Sequence, residues 1–178
     1  MGSLVSGSIV CTKISLISSD LLNQSPWEVQ LSISVLGNIS SIKKGWPADM
    51  RPVMDVLQEA KRKGRIRAIG VSCHGWDPLV SAADAEGIDI HLVRINPFGA
   101  VMDGPVEDVA AQVKKMHQKG RGVIGMKIFG ENGFGSKEKR LQSLKYVLGL
   151  GAVDAFTIGF TSPEQIDETL QLIEQALI

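Results

Sequence analysis

Ile66-Arg-Ala-Ile-Gly-Val-Ser-Cys-His74 is the first of four apolar stretches that decide the fold. The other three are Ile90-His-Leu-Val-Arg-Ile95, Val123-Ile-Gly-Met-Lys-Ile-Phe129 and Ala155-Phe-Thr-Ile-Gly-Phe160. Each is followed by a segment with helical spacing, and the strand starts recur about every 30 residues, the βα spacing of an eight-fold α/β barrel. The stretches are apolar nearly throughout, as parallel strands covered on both faces are. The expected fold over 65–178 is therefore the back half of a barrel. It is a partial (β/α)8 TIM barrel with about four C-terminal βα units, preceded by an irregular N-terminal segment.

The connections carry their own punctuation. Trp46-Pro47 breaks the chain and Asp49 can cap, after which Met50 to Lys63 places Val53, Met54, Leu57 and Ala60 at helical spacing before Gly64. Asp77-Pro78 opens a helix running to Glu86, stopped by Gly87. Pro105 occupies the first turn of a helix with Val106, Val109, Val113 and Met116 on one face, ended by Gly120. Gly130 to Gly135 reads as a flexible connection, Lys137 to Leu148 as the next helix. Ser162-Pro163-Glu164 starts the last helix with a hydroxyl cap and an early acid. Residues 1–45 differ in texture, being rich in Ser, Ile and Leu and sparse in charge, so the chain divides into an atypical segment 1–45 and a half-barrel 46–178. Within the first, Gln30 to Leu36 alternates like a strand with one buried face, either in the barrel or at an edge.

With 178 residues the chain is one ordinary domain, large enough for a real core yet short of the roughly 250 of a complete barrel. Part of the barrel is thus expected to be absent or supplied by a partner. Lys+Arg 19 balances Asp+Glu 19, and no basic stripe with interleaved aromatics is present, which argues against nucleic acid and for a small-molecule ligand. Cys11 and Cys73 lie far apart without metal-ligand spacing and read as free thiols of a reducing compartment, so a cytoplasmic protein is expected. No apolar run reaches the roughly 18 residues of a membrane span, and the start lacks the basic region of an export signal.

In such a barrel the reacting face lies at the C-terminal strand ends, where loops and helix N-termini converge. The residues placed there are Ser72, Cys73 and His74; Arg94 and Asn96; Lys127, Phe129 and Gly130; and Gly159 to Ser162. Cys73 and His74 are strand neighbours that point to opposite faces, so a nucleophile–base pair is disfavoured; Cys73 packs while Ser72 and His74 face a ligand. Lys127, between Met126 and Ile128 in an apolar strand, is open to three readings: a Schiff-base lysine, an anion holder, or the partner of an acid on a neighbouring strand. Arg94 shares the ambiguity, and the two together would mark a phosphate or carboxylate site on one face of the mouth. Gly159-Phe-Thr-Ser162 offers hydroxyls and backbone N–H groups to an anion at a helix N-terminus, or is a plain cap. The glycines of 130–135 could wrap a cofactor but lack the ending of a phosphate loop. Tyr146, the only tyrosine, sits in a helical pattern that favours core packing, and His91 and His117 read as ordinary positions.

Arg65 to His74, Gly122-Val-Ile-Gly-Met-Lys-Ile-Phe-Gly130 and Thr157-Ile-Gly-Phe-Thr-Ser-Pro-Glu-Gln165, in that order, resemble the C-terminal half of an aldo-keto reductase, from about Trp46 to the end. The resemblance implies a (β/α)8 barrel that uses NADPH or NADH to reduce a small-molecule carbonyl. By position it implies that Ser72 binds the nicotinamide carboxamide, with Cys73 where the family often has asparagine. The segment from Lys127 through Phe129 and Gly130 matches the loop near the pyrophosphate. Thr161, Ser162 and Gln165 match the helix start that holds the adenosine 2′-phosphate, with Thr161 where a basic residue is common; Asn96 completes the cofactor set. No metal is implied. The family's proton-donating tyrosine and its partners come from the first four strands, which are not recognisable here. If Gln30 to Leu36 stands for the fourth strand, Gly37 falls where its histidine would be. Two expectations follow: an oxidoreductase of this descent, inactive as this isolated chain, or a noncatalytic half-barrel that binds nucleotide or pairs with itself or a partner through open strand edges.

Overall fold

The computed structural model describes residues 33–39 and 51–178. Five parallel strands form one sheet in sequential order: β1 (Ile33–Ile39), β2 (Ala68–Cys73), β3 (Ile90–Arg94), β4 (Gly122–Met126) and β5 (Ala155–Phe156). Helices α1 (Arg51–Arg62), α2 (Trp76–Asp84), α3 (Val106–Gln118), α4 (Lys137–Gly149) and α5 (Pro163–Ala176) alternate with them. This is the partial barrel expected from the sequence, with the four βα units running from β2 to α5. β1 pairs in parallel with β2, and the register shifts between Leu36 and Ile39. It thus runs three residues beyond Leu36, so Gly37 lies inside the strand and not after it; Gln30, Trp46, Pro47 and Asp49 lie outside the described residues.

The core lies between sheet and helices. Ile69, Val71 and Cys73 of β2, Val93 of β3 and Val123 of β4 meet Leu79, Ala82 and Ala83 of α2, Val109, Val113 and Met116 of α3, and Leu144 and Val147 of α4. Of the helix-spaced apolar residues of α3, Val109, Val113 and Met116 are buried and Val106 only half-buried, while Tyr146 packs part-buried against the core, as its pattern predicted. Gly64 and Gly120 follow their helices with φ of +68° and +73°, conformations a Cβ disfavours, whereas α2 ends at Asp84 with Ala85 extended, short of the expected Glu86, so Gly87 is not its stop. α2 has no basic residue in its last turn. Its orphan carbonyls are served instead by Arg121, which donates to the carbonyls of Ala82, Ala83 and Ala85, and by Lys119, which donates to that of Ala83. Below the sheet one device occurs twice. Asp89, just before β3, accepts the N–H of Ile69 at 2.8 Å, and Asp154, just before β5, accepts that of Val123 at 2.7 Å.

Two strands end sooner than the apolar runs suggest. β4 stops at Met126 because Lys127 takes φ +56°, which no strand residue can hold, so Lys127, Ile128 and Phe129 belong to the following loop. β5 keeps only Ala155 and Phe156, with one more ladder bond from the N–H of Thr157 to the carbonyl of Gly125. Among the described residues no helix is long and apolar enough to cross a membrane.

Candidate functional site

The C-terminal ends of the strands differ on the two sides of the sheet. Over β2 and β3 the polar groups are committed to one another. The carboxylate of Asp103, in the loop after β3, takes the guanidinium of Arg94 through Nε at 3.0 Å and through Nη2, and accepts the backbone N–H of Gly75 in the loop after β2. The Asp103 side chain is fully buried and that of Arg94 only 14% exposed. Asn96 is also fully buried and all its hydrogen bonds are made: Nδ2 donates to the carbonyls of Ala100 and Lys127, and Oδ1 accepts from the N–H groups of Phe98 and Ala100. Its amide therefore braces two loops. Cys73 packs in the core with its thiol against the carbonyl of Pro78 at 3.4 Å. Burial, and then the charge of Asp103, push that thiol up to about 12, so it stays protonated at neutral pH. Ser72 and His74 are half-buried beside it.

Over β4 and β5 lies an open cleft of about 730 Å³, within the range of small-molecule sites. Its lining includes Lys127, Phe129 and Glu131 from the loop after β4, Phe134 and Arg140 further on, and Thr157 to Thr161 with Gln165 at the start of α5. Four of the cofactor candidates, Lys127, Phe129, Thr161 and Gln165, thus line one cleft together with Gly159 and Phe160, whereas Ser72, Cys73, Asn96 and Ser162 lie outside its lining. Gly130 sits behind the wall with φ +59°, and a Cβ there would come within 2.7 Å of the Phe134 ring.

Lys127 is not the buried strand lysine of the sequence reading, and no acid of a neighbouring strand holds it. Its side chain is about one-third exposed and pairs with Glu131, four residues on in the same loop. That ion pair, and then the long-range pull of Lys127 and Arg94, hold the Glu131 carboxyl below its ordinary value. At α5 the cap also differs from expectation. Ser162 stands at the N-cap but its hydroxyl makes no cap bond. The amide oxygen of Gln165 closes the turn instead, accepting the N–H of Thr161 at 2.9 Å and its hydroxyl at 3.3 Å, while Ser162 bonds Glu164 and lowers that carboxyl. Arg140 faces the Phe129 ring at 6.0 Å and pairs with Glu168 at 2.9 Å. Tyr146, on α4, is not among the cleft residues.

The sequence reading missed Asp103, Glu131 and Ser143. Asp103 and Glu131 carried only the signal of acids in loops at the strand ends. Ser143, on α4, gave none; buried, it donates its hydroxyl to the carbonyl of Ile128 at 2.5 Å and fixes the loop from the helix side.

The model of the aldo/keto reductase family matches residues 20–143. The chain belongs to the aldo/keto reductase family. The match reaches back past Trp46, so the likeness includes β1 and part of 1–45, and it stops before β5, so Thr157 to Gln165 lie beyond it. Solved structures extend the likeness of fold. A Pseudomonas aeruginosa protein assigned as an aldo-keto reductase superimposes with TM-score 0.54 at 21% identity, over 70% of this chain and 45% of its own. An aldo-keto reductase of Bacillus halodurans in its holo form does so with TM-score 0.55 at 16% identity, over 74% and 53% respectively. This aldo/keto reductase family chain spans about half the length of those structures. No curated protein matches it.

Proposed function

We propose that this chain forms the cofactor-holding part of an NAD(P)H-dependent carbonyl oxidoreductase. The observation that carries the reading is the convergence of Lys127, Phe129, Thr161 and Gln165 on one cleft at the C-terminal ends of β4 and β5. The donor set fits a nicotinamide dinucleotide. A cation and a helix start with hydroxyls suit phosphate, while Phe129 and Phe134 suit a ring. When bound, the cofactor would supply hydride for a carbonyl carbon. Lys127 and Thr161 would hold anionic groups, with Gly130 letting the loop approach closely and Ser162 and Gln165 shaping the helix start. Ser72 and Cys73 would lie further along the mouth, and Asn96 would act through the loops it braces. Either NADPH or NADH is compatible with Thr161, which carries no charge for a 2′-phosphate.

A second reading, a noncatalytic nucleotide-binding half-barrel, is favoured by one fact. The only tyrosine, Tyr146, packs against the core from α4, so this chain brings no tyrosine hydroxyl to the mouth as proton donor. General acid help is worth roughly 10²–10⁴-fold in rate. Pairing with a second chain through the sheet edges belongs to the same reading.

The test is titration of the purified chain with NADH and NADPH, followed by cofactor fluorescence and thermal shift, then a carbonyl panel with each cofactor. Saturable binding with no hydride transfer is the expected result. Absence of binding to a cooperatively folded sample would sink the cofactor reading, and turnover would sink the noncatalytic one.

A further inference from the structure

The loop after β4 is built to present one charge. Lys127 and Glu131 are both in the left-handed region, with φ of +56° and +58°, and the turn between them is closed by the N–H of Gly130 on the carbonyl of Lys127 at 2.9 Å. The buried amide of Asn96 donates to that same carbonyl, so the backbone of Lys127 is clamped from inside while its side chain lines the cleft. The other cation lining the cleft, Arg140, is paired with Glu168, and Arg94, outside the cleft, is held by buried Asp103. Among the described residues Lys127 pairs with Glu131 alone, which is more than half exposed, in a pair weakened by solvent.

We propose that Glu131 is an internal counter-ion at Lys127 that a phosphate-bearing ligand displaces, so that this exchange sets how strongly the cleft favours a phosphorylated nucleoside over an uncharged one. This rests on the reading of the cleft as a nucleotide site. Glu131 occupies with a carboxylate the place an incoming phosphate oxygen would take. Binding must break one exposed ion pair to make another, and removing the carboxylate removes the competitor and its repulsion together.

The experiment measures the affinities of the full chain for ADP, adenosine and NADH, in the wild type and in Glu131→Gln, Glu131→Asn and Lys127→Gln, each checked by thermal denaturation. Asparagine tolerates the left-handed backbone, so it keeps the question answerable if glutamine does not fold. The expected result is ADP binding tightened about two- to five-fold by either Glu131 variant, with the gain shrinking at high salt and adenosine unmoved. Lys127→Gln should erase the preference for ADP over adenosine. ADP affinity unchanged or weakened in the Glu131 variants, while wild type binds ADP and NADH, overturns the exchange and leaves the nucleotide reading intact. Failure of wild type and every folded variant to bind ADP or NADH overturns both.

Discussion

The mouth over β2 and β3 and the mouth over β4 and β5 are made from the same kinds of residue and do opposite things with them. In the first, Arg94, Asp103 and Asn96 are spent on each other and on the backbone, with Asp103 and Asn96 buried and Arg94 nearly so. In the second, Lys127, Glu131, Thr161 and Gln165 surround open space and remain part-exposed or exposed. A buried polar group must be bonded by the protein itself, whereas an exposed one stays available to a ligand. Charge at a strand end therefore does not mark a site until its partners are known.

The sharpest way to break the contrast is Asp103→Ala. It leaves the Arg94 guanidinium and the N–H of Gly75 without their acceptor, and should cost about 3–5 kcal/mol in chemical denaturation, as loss of one member of a buried pair does. A smaller cost would mean that this mouth is wetter than its burial indicates.

His91 of β3 extends the test to pH. It is 1% exposed, and burial first, then Arg121 and Lys119, lower its pKa to about 4 from 6.5. A histidine with a depressed folded pKa is protonated more readily when unfolded. Its contribution is therefore fully present above about pH 6.5 and lost as pH falls toward 4, a change of about 3 kcal/mol across that window. Denaturation midpoints of wild type and His91→Asn over pH 4–8 measure it, and a wild-type slope that survives in the variant would assign the effect elsewhere.

Asn96→Ala should cost about 1–3 kcal/mol, because the carbonyls of Ala100 and Lys127 and two backbone N–H groups lose their partner. If Asn96 touched ligand directly, the loss would be in affinity at unchanged Tm; the geometry instead predicts a fall in Tm accompanied by weaker nucleotide binding. Lys127→Gln closes the series with the smallest effect on stability, a Tm equal to wild type within error, since its ion pair is solvent-screened. The same variant should weaken ADP binding, so the two mouths separate stability from affinity.

Much of the architecture was legible along the chain. The 30-residue rhythm gave β2 to α5 in order, the glycines at 64 and 120 marked helix ends, and Val109, Val113 and Met116 of the apolar face of α3 were read correctly. The ends of β4 and β5 were not legible, because an apolar run continues into Ile128 and Phe129 whether or not Lys127 turns left-handed. The candidate site was legible as a set of positions at strand ends, including Lys127, Phe129, Thr161 and Gln165. Asn96 was legible as a position too, but its bonds to Ala100 and Lys127 were not, since the second partner is 31 residues away.

The sequence by itself determined the parallel βα order, most of the core face of α3 and the family likeness, because apolar periodicity and motif order are local properties of a chain; on α1 the same spacing included Val53, which is exposed. Only the tertiary structure decided which polar groups are spent and which are free. Arg94 with Asp103 and Lys127 with Glu131 are alike as charged pairs in the text of the chain. Burial closes the first, while solvent leaves the second open to exchange.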